Sequence, residues 1–432
     1  MPGASESCEH LQTTKHLQLS TLLAACLLLH NATVIDPVSA SARIRDLVIR
    51  NGAIATGSCD QRVDLTGKFI VPGFVDHHAH LFLHAWDSNG NIRPRWDRES
   101  ALQMLQLFLR FGVTSIRDPG AETEAAVELR DLVAAHKLKG PNIVSAGRII
   151  NDGQLDAEPF VQLRRADDIR REIRWQKTAG VDLIKVYAAT PPDLVKVAID
   201  EAHAQHLPII GHMQRTSWLQ AAEMGIDGVE HPADWNEDML PPDKRAAYDN
   251  SMFGRVYWIE NLDPAAVDRT IAALKAHHVS VDPTLMAIAT KFFGNSPRWL
   301  HNPDNKRMPQ IWLEGWPAGS FVKTWTPAQF AEAQSAWPKL LAFVKKMYDA
   351  GVPMVAGTDT PTPWIVPGAS MHDEMELLHD AGIPTMAVLK MACDRLDVND
   401  RADLVVLNAN PLGDIRNTRR IAAVYKDGVP VQ

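Results

Sequence analysis

His78 and His80 close the stretch "FIVPGFVDHHAH", and an apolar run leads straight into them. Imidazole nitrogens suit zinc and similar metals. Side chains alternate along a strand, so His78 and His80 can point together while His77 points away. One such pair is incidental in most sequences, and its meaning depends on what else reaches it. Lys185 lies in the apolar run "VDLIKVYAA". An inward lysine there is costly unless neutralised or paired, and burial lowers its pKa. The neutral amine can then take up carbon dioxide, giving an anionic carbamate able to bridge two metals. The bland alternative is a lysine reaching outward to solvent. His212 ends "LPIIGHMQ", His231 ends "IDGVEHP", and Asp359 lies in "VPMVAGTDT". A lone histidine at a strand end is usually a satisfied polar residue. An unpaired carboxylate beside several imidazoles is expensive unless a metal offsets it.

Elements that could gather these residues alternate along the middle of the chain. Short apolar strands ("GFVDHHAHLF", "GVTSIRDPG", "PNIVSAGRII", "VDLIKVYAAT", "LPIIGHMQ", "IDGVEHP", "VSVDPTLMA", "VPMVAGTDT") are interleaved with helical patterns such as "DPAAVDRTIAALKAHH". Eight strands alternating with helices predict a (β/α)8 TIM barrel over 71–395, with chemistry at the carboxyl ends of the strands. The candidate residues then end strands 1, 4, 5, 6 and 8. An open doubly wound sheet is the alternative, but no glycine-rich phosphate loop follows the first strand. Strand-rich segments at both ends, 27–70 and 401–432, predict one small β-sandwich module. Residues 290–338 hold five of the 12 tryptophans and predict a long irregular cover over the site.

The bulk numbers exclude several classes. With 432 residues and 46% apolar content, the chain can bury a large core. A net charge of -8 with no long basic run argues against nucleic acid as a partner. No apolar run reaches the roughly 18–20 residues of a membrane span. The four cysteines form no CxxC and predict neither a disulfide framework nor a thiolate zinc site. "LAAC", ending at Cys26, resembles a bacterial lipoprotein processing box, yet a strand pattern follows at once, so cytoplasmic and exported locations both stay open.

Taken in order, "PGFVDHHAH", "GVTSIRDPG", "GPNIVSAGRII", "GVDLIKVYA", "HMQ", "GVEHP", "AGTDTPTPWIVPGASMHDEMELLHDAGI" and "ADLVVLNANPLGDI" resemble the amidohydrolase superfamily. The nearest branch is that of imidazolonepropionase-like and Xaa-Pro dipeptidase-like metal hydrolases, and the likeness runs from about residue 27 to the end. The resemblance implies two divalent metals, zinc being usual. His78, His80 and Asp359 would hold one, His212 and His231 the other, with carbamylated Lys185 bridging them. It also implies hydrolysis of an amide in a small molecule such as an Xaa-Pro dipeptide or an N-acyl amino acid. A water shared by two metals is acidic enough to attack near neutral pH. Asp359 would pass its proton to the leaving amine.

Tyr187, two residues past Lys185, and Arg215, just past His212, are candidates for binding substrate, Arg215 through a carboxylate. A cyclic amide, lactone or other ester is the alternative substrate class, deamination or phosphotriester hydrolysis a further one, and a metal-binding barrel without turnover the alternative from another class. Barrels of this kind often form homo-oligomers, though no feature fixes an assembly. The sequence departs from the family between "LKMACDRLDVND" and "ADLVVL", where about twenty residues are missing. That shortening predicts lost packing beneath the barrel and at the β module.

Overall fold

Short apolar strands, buried from end to end, build the parallel part of the molecule. Ile184–Val186, Ile209–Gly211 and Gly228–Glu230 show no exposed position, as expected where helices cover a parallel sheet. The computed structural model describes residues 26–431 apart from 86, 90–92, 94, 95, 154–158, 233–235, 250, 252 and 320–323. The processing-box stretch before Cys26 lies outside the described residues.

The architecture is α/β. One parallel sheet runs Phe74–Asp76, Val113–Asp118, Asn142–Ser145. A second runs Phe160–Gln162, Ile149–Asn151, Ile184–Val186, Ile209–Gly211, Gly228–Glu230, Ser280–Asp282. A parallel bridge between Ala146 and Leu183 links the two sheets. The expected eighth strand is not a regular strand. Segment 353–360 makes only isolated parallel bridges, Met354 to Val281 and Thr360 to Ala79. It nevertheless bonds on both sides: Val355 N–H donates to the Val281 carbonyl (3.1 Å), and Asp359 N–H to the His78 carbonyl (2.8 Å). A left-handed backbone at Asp359 (φ 63) bends it out of strand geometry.

Helices pack outside by ordinary amphipathic spacing. Arg98–Arg110 buries Ala101, Met104, Leu105 and Phe108, and Asp97 caps it by accepting from Ser100 N–H at 2.7 Å. Ala166–Ala179 stops at Gly180, which takes φ 100.

Both chain ends meet in a mixed eight-stranded sheet. Its order is Val429–Pro430, Ile421–Lys426, Leu404–Leu407, Phe69–Pro72, Leu27–Asp36, Ser41–Arg50, Ala53–Ala55, with Gln61–Asp64 also on Leu27–Asp36. That last pairing is parallel and sets Leu27 opposite Gln61. It carries Cys26 beside Cys59, and the two form a disulfide. The expectation of no disulfide is therefore corrected. Thirty-three residues of separation hid a pair that only strand register brings together.

Two further expectations change. Residues 290–338 are largely helical rather than an irregular cover, with helices Pro297–Leu300, Gln310–Gly319 and the start of Pro327–Ala350. Trp299, Trp312, Trp316 and Trp337 are buried in the main core. Trp316 donates through Nε1 to the Pro361 carbonyl at 3.0 Å, so this region braces the loop that follows Asp359. The short link at 393–401 still docks. Leu396 enters the core of the terminal sheet, Asp394 N–H donates to the Gly73 carbonyl (3.1 Å), and Ile54 N–H donates to the Asp400 carbonyl (2.8 Å).

Closing a loop of this length constrains the unfolded chain by about 3–4 kcal/mol. Urea unfolding with and without reductant should show that loss, and Cys26→Ser should reproduce it without reductant. An unchanged midpoint in both would contradict a structural role for the bond.

Candidate metal centre

His78 and His80 follow strand Phe74–Asp76 and lie with ring centroids 5.1 Å apart. His78 also packs against His231 at 4.7 Å, and His231 against His212 at 4.7 Å. All four side chains are buried. Asp359 Oδ1 lies 3.4 Å from His78 Nε2 and 3.7 Å from His80 Nε2. Lys185 is 2% exposed, and its Nζ contacts the Glu230 carboxylate. Tyr187 stacks obliquely on His212 at 4.5 Å. Arg215 stands apart from this cluster, 3.7 Å from Asp152. It lines a cavity of about 490 Å³ with Gln214, Glu237 and Arg245. His77 joins neither group of donors described below, and its carbonyl accepts from Arg117 at 2.6 Å.

Burial sets the protonation of these rings. It pushes the pKa values of His78 and His231 well below the ordinary imidazole value, and each ring's charged neighbours add to the effect. Both are therefore neutral and offer lone pairs. Burial also pushes the Lys185 ammonium down to about 7, with Arg117 contributing. His231 Nδ1 is tied to Thr284 Oγ1 at 2.6 Å, and His80 Nδ1 lies 3.2 Å from the Gly120 carbonyl. Ties of this kind at Nδ1 leave Nε2 for a metal.

Among the described residues, two sets of donor atoms, each within 4.8 Å of one another, could hold an ion: His78, His80 and Asp359; and His78, Glu230 and His231. Imidazoles with carboxylates are a donor set that suits zinc. His78 Nδ1 is buried without a hydrogen bond, 3.3 Å from Glu230 Oε1, as an unfilled ligand atom would be, while Glu230 Oε2 meets Lys185 Nζ. The residues present thus fit a divalent metal, with Glu230 in the second set where the sequence implied His212; His212 and Lys185 join neither set.

Sequence reasoning passed over Glu230, Arg117, Asp282 and Thr284. Alternation puts Glu230 and His231 on opposite faces. His231 instead takes φ 59 just past the strand, and consecutive side chains both join the second set. Arg117 Nη2 reaches Glu230 and Asp282, at 3.4 Å each. Burial raises Asp282 to about 7 despite Arg117. A charge inside strands as apolar as "GVTSIRD" and "VSVD" was the available signal. Thr284 carried none.

The arrangement defines a metal-site α/β protein with its donors at the ends of parallel strands. Residues 69–431 match the model of the amidohydrolase family, and the chain belongs to that family. An imidazolonepropionase from Chromobacterium violaceum is 25% identical over 263 residues, 51% of this chain and 63% of that relative. Similar solved structures include an Xaa-Pro dipeptidase with methionine bound in its active site (TM-score 0.66, 20% identity, 94% of this chain and 100% of that one). A bottromycin amidohydrolase is also similar (TM-score 0.71, 21% identity, 94% and 86%). These likenesses make the fold TIM-barrel-like.

Replacing His78 or His80 by alanine should remove most bound zinc, measured by elemental analysis after dialysis against a chelator. His77→Ala should retain it. Equal losses from all three would contradict this placement.

Proposed function

We propose that this chain is a metal-dependent hydrolase that cleaves an amide bond in a small substrate, an Xaa-Pro dipeptide or an N-acyl amino acid. The observation that carries the reading is the convergence of the buried His78 and His80 imidazoles on Asp359 beside a desolvated lysine. In this reading the strands of 71–395 close into a (β/α)8 barrel, and 27–70 with 401–432 form its β module. His78, His80 and Asp359 would hold one ion, His212 and His231 the other, and carbamylated Lys185 would serve both. Bound zinc would acidify a water and polarise the scissile carbonyl.

The chain's own groups do the rest. Asp359 takes a proton from the attacking water and delivers it to the amide nitrogen, which leaves poorly without it. The Lys185 amine adds carbon dioxide by forming an N–C bond and losing a proton, which needs the neutral amine. Arg215, in the neighbouring cavity, exchanges Asp152 for the substrate's carboxylate. Tyr187 flanks His212 on the same side and packs edge-on against Phe160.

A library of dipeptides, N-acyl amino acids, cyclic amides and lactones, tested on zinc-reconstituted protein, checks the substrate class. Release of free proline or another amino acid supports the reading, and turnover of cyclic substrates alone overturns the linear class. Asp359→Asn should lower kcat by at least about 100-fold while keeping part of the metal; a near-native rate would remove Asp359 from the proton path. With its pKa near 7, Lys185 is neutral above that pH and charged below it. Carbamate formation on metal-free protein in 13C-bicarbonate, read by NMR, should therefore fall as pH drops through about 7. A pH-independent signal would contradict it.

A further inference from the structure

Thr284 is the N-cap of helix Leu285–Phe292, yet its side chain does not cap that helix. Its backbone is left-handed (φ 42, ψ 50), rare for a β-branched residue. The hydroxyl instead meets His231 Nδ1 at 2.6 Å. Glu374 satisfies the helix end. This carboxylate, on the separate helix Ala369–Asp380, accepts from Leu285 N–H at 3.0 Å and from Met286 N–H at 2.7 Å. Glu374, Thr284, Leu285 and Met286 are all fully buried. A carboxyl group at a helix amino terminus satisfies otherwise orphaned donors; burial pushes the Glu374 pKa well above the ordinary carboxyl value, and the two amide bonds oppose that rise. The helix that bears Glu374 is fixed on its outer side, where Asp373 pairs with Arg298 (3.1 Å) and Arg419 (2.7 Å).

We propose that Glu374 is a positioning residue for His231. By capping a neighbouring helix in place of that helix's own N-cap, it leaves the Thr284 hydroxyl to hold the imidazole with Nε2 toward the metal centre. The inference rests on His231 being a ligand, as read above. Helix Ala369–Asp380 begins nine residues after Thr360, so one rigid path joins the Asp359 loop to the His231 side of the site. Unfavourable backbone geometry at Thr284 persists because Glu374 holds the next two amides.

Glu374→Gln can accept well through only one oxygen, and Thr284→Val keeps shape but loses the hydroxyl. Each should weaken the zinc ion that His231 holds by about 10- to 100-fold in chelator competition. The other ion should be unaffected, and the double variant no worse than the poorer single one. Thr284→Ser should restore affinity. If Glu374→Gln does not fold, Glu374→Asp replaces it. A Glu374 variant that loses thermal stability but binds both ions normally, or losses that add in the double variant, would overturn the proposal. His231→Ala keeps the two ideas apart: if it leaves both ions bound, the ligand reading fails instead.

Discussion

The close approach of segment 353–360 to the chain at 76–80 is the contact on which the site depends. Gly357 permits it. A Cβ there would lie 2.7 Å from both the Cβ and the nitrogen of His78, and would collide with the Asp282 carboxylate. Buried Asp76 then ties the two segments by accepting from His78 N–H (3.1 Å), Thr358 N–H (3.0 Å) and Thr358 Oγ1 (2.7 Å). Only with the backbones this close does Asp359 reach the two imidazoles. Asp359's positive φ follows from the same need, since a regular strand would carry its carboxylate past them.

That packing creates an electrostatic debt. Asp76, Glu230 and Asp282 are buried beside Asp359, with Arg117 and Lys185 as the cations among them. Burial, with like charges adding to it, raises Asp76 and Asp282 to about 7 and lowers Lys185 to about 7. A fold seldom keeps so many half-compensated charges in its interior without use for them. Divalent ions in the donor sets would supply the missing positive charge, and a carbamate on Lys185 would increase the need for it.

Much of this was legible in the sequence, for physical reasons. His78, His80, Lys185, His212, His231 and Asp359 stood out as polar groups at the ends of apolar runs; His78, His80, His231 and Asp359 fall in the two donor sets, His212 packs against His231, and Lys185 contacts Glu230. What could not be read was whatever depended on backbone departures or on register. Glu230 escaped because the left-handed turn at His231 breaks strand alternation. Segment 353–360 read as a strand because its apolar pattern says nothing of the bend at Asp359. The Cys26–Cys59 bond needed the parallel register of Leu27 with Gln61. Tryptophan content marked 290–338 as unusual, but its helices bury Trp299, Trp312, Trp316 and Trp337 in the core rather than leave them in an irregular cover.

The central claim is that these buried donors hold two metal ions, and X-ray diffraction across the zinc absorption edge tests it most directly. Crystals of zinc-reconstituted protein should give two anomalous peaks, one among His78, His80 and Asp359 and one beside His212 and His231, bridged by density on Lys185. No anomalous peak at the cluster, or a peak only at surface residues, would contradict the account.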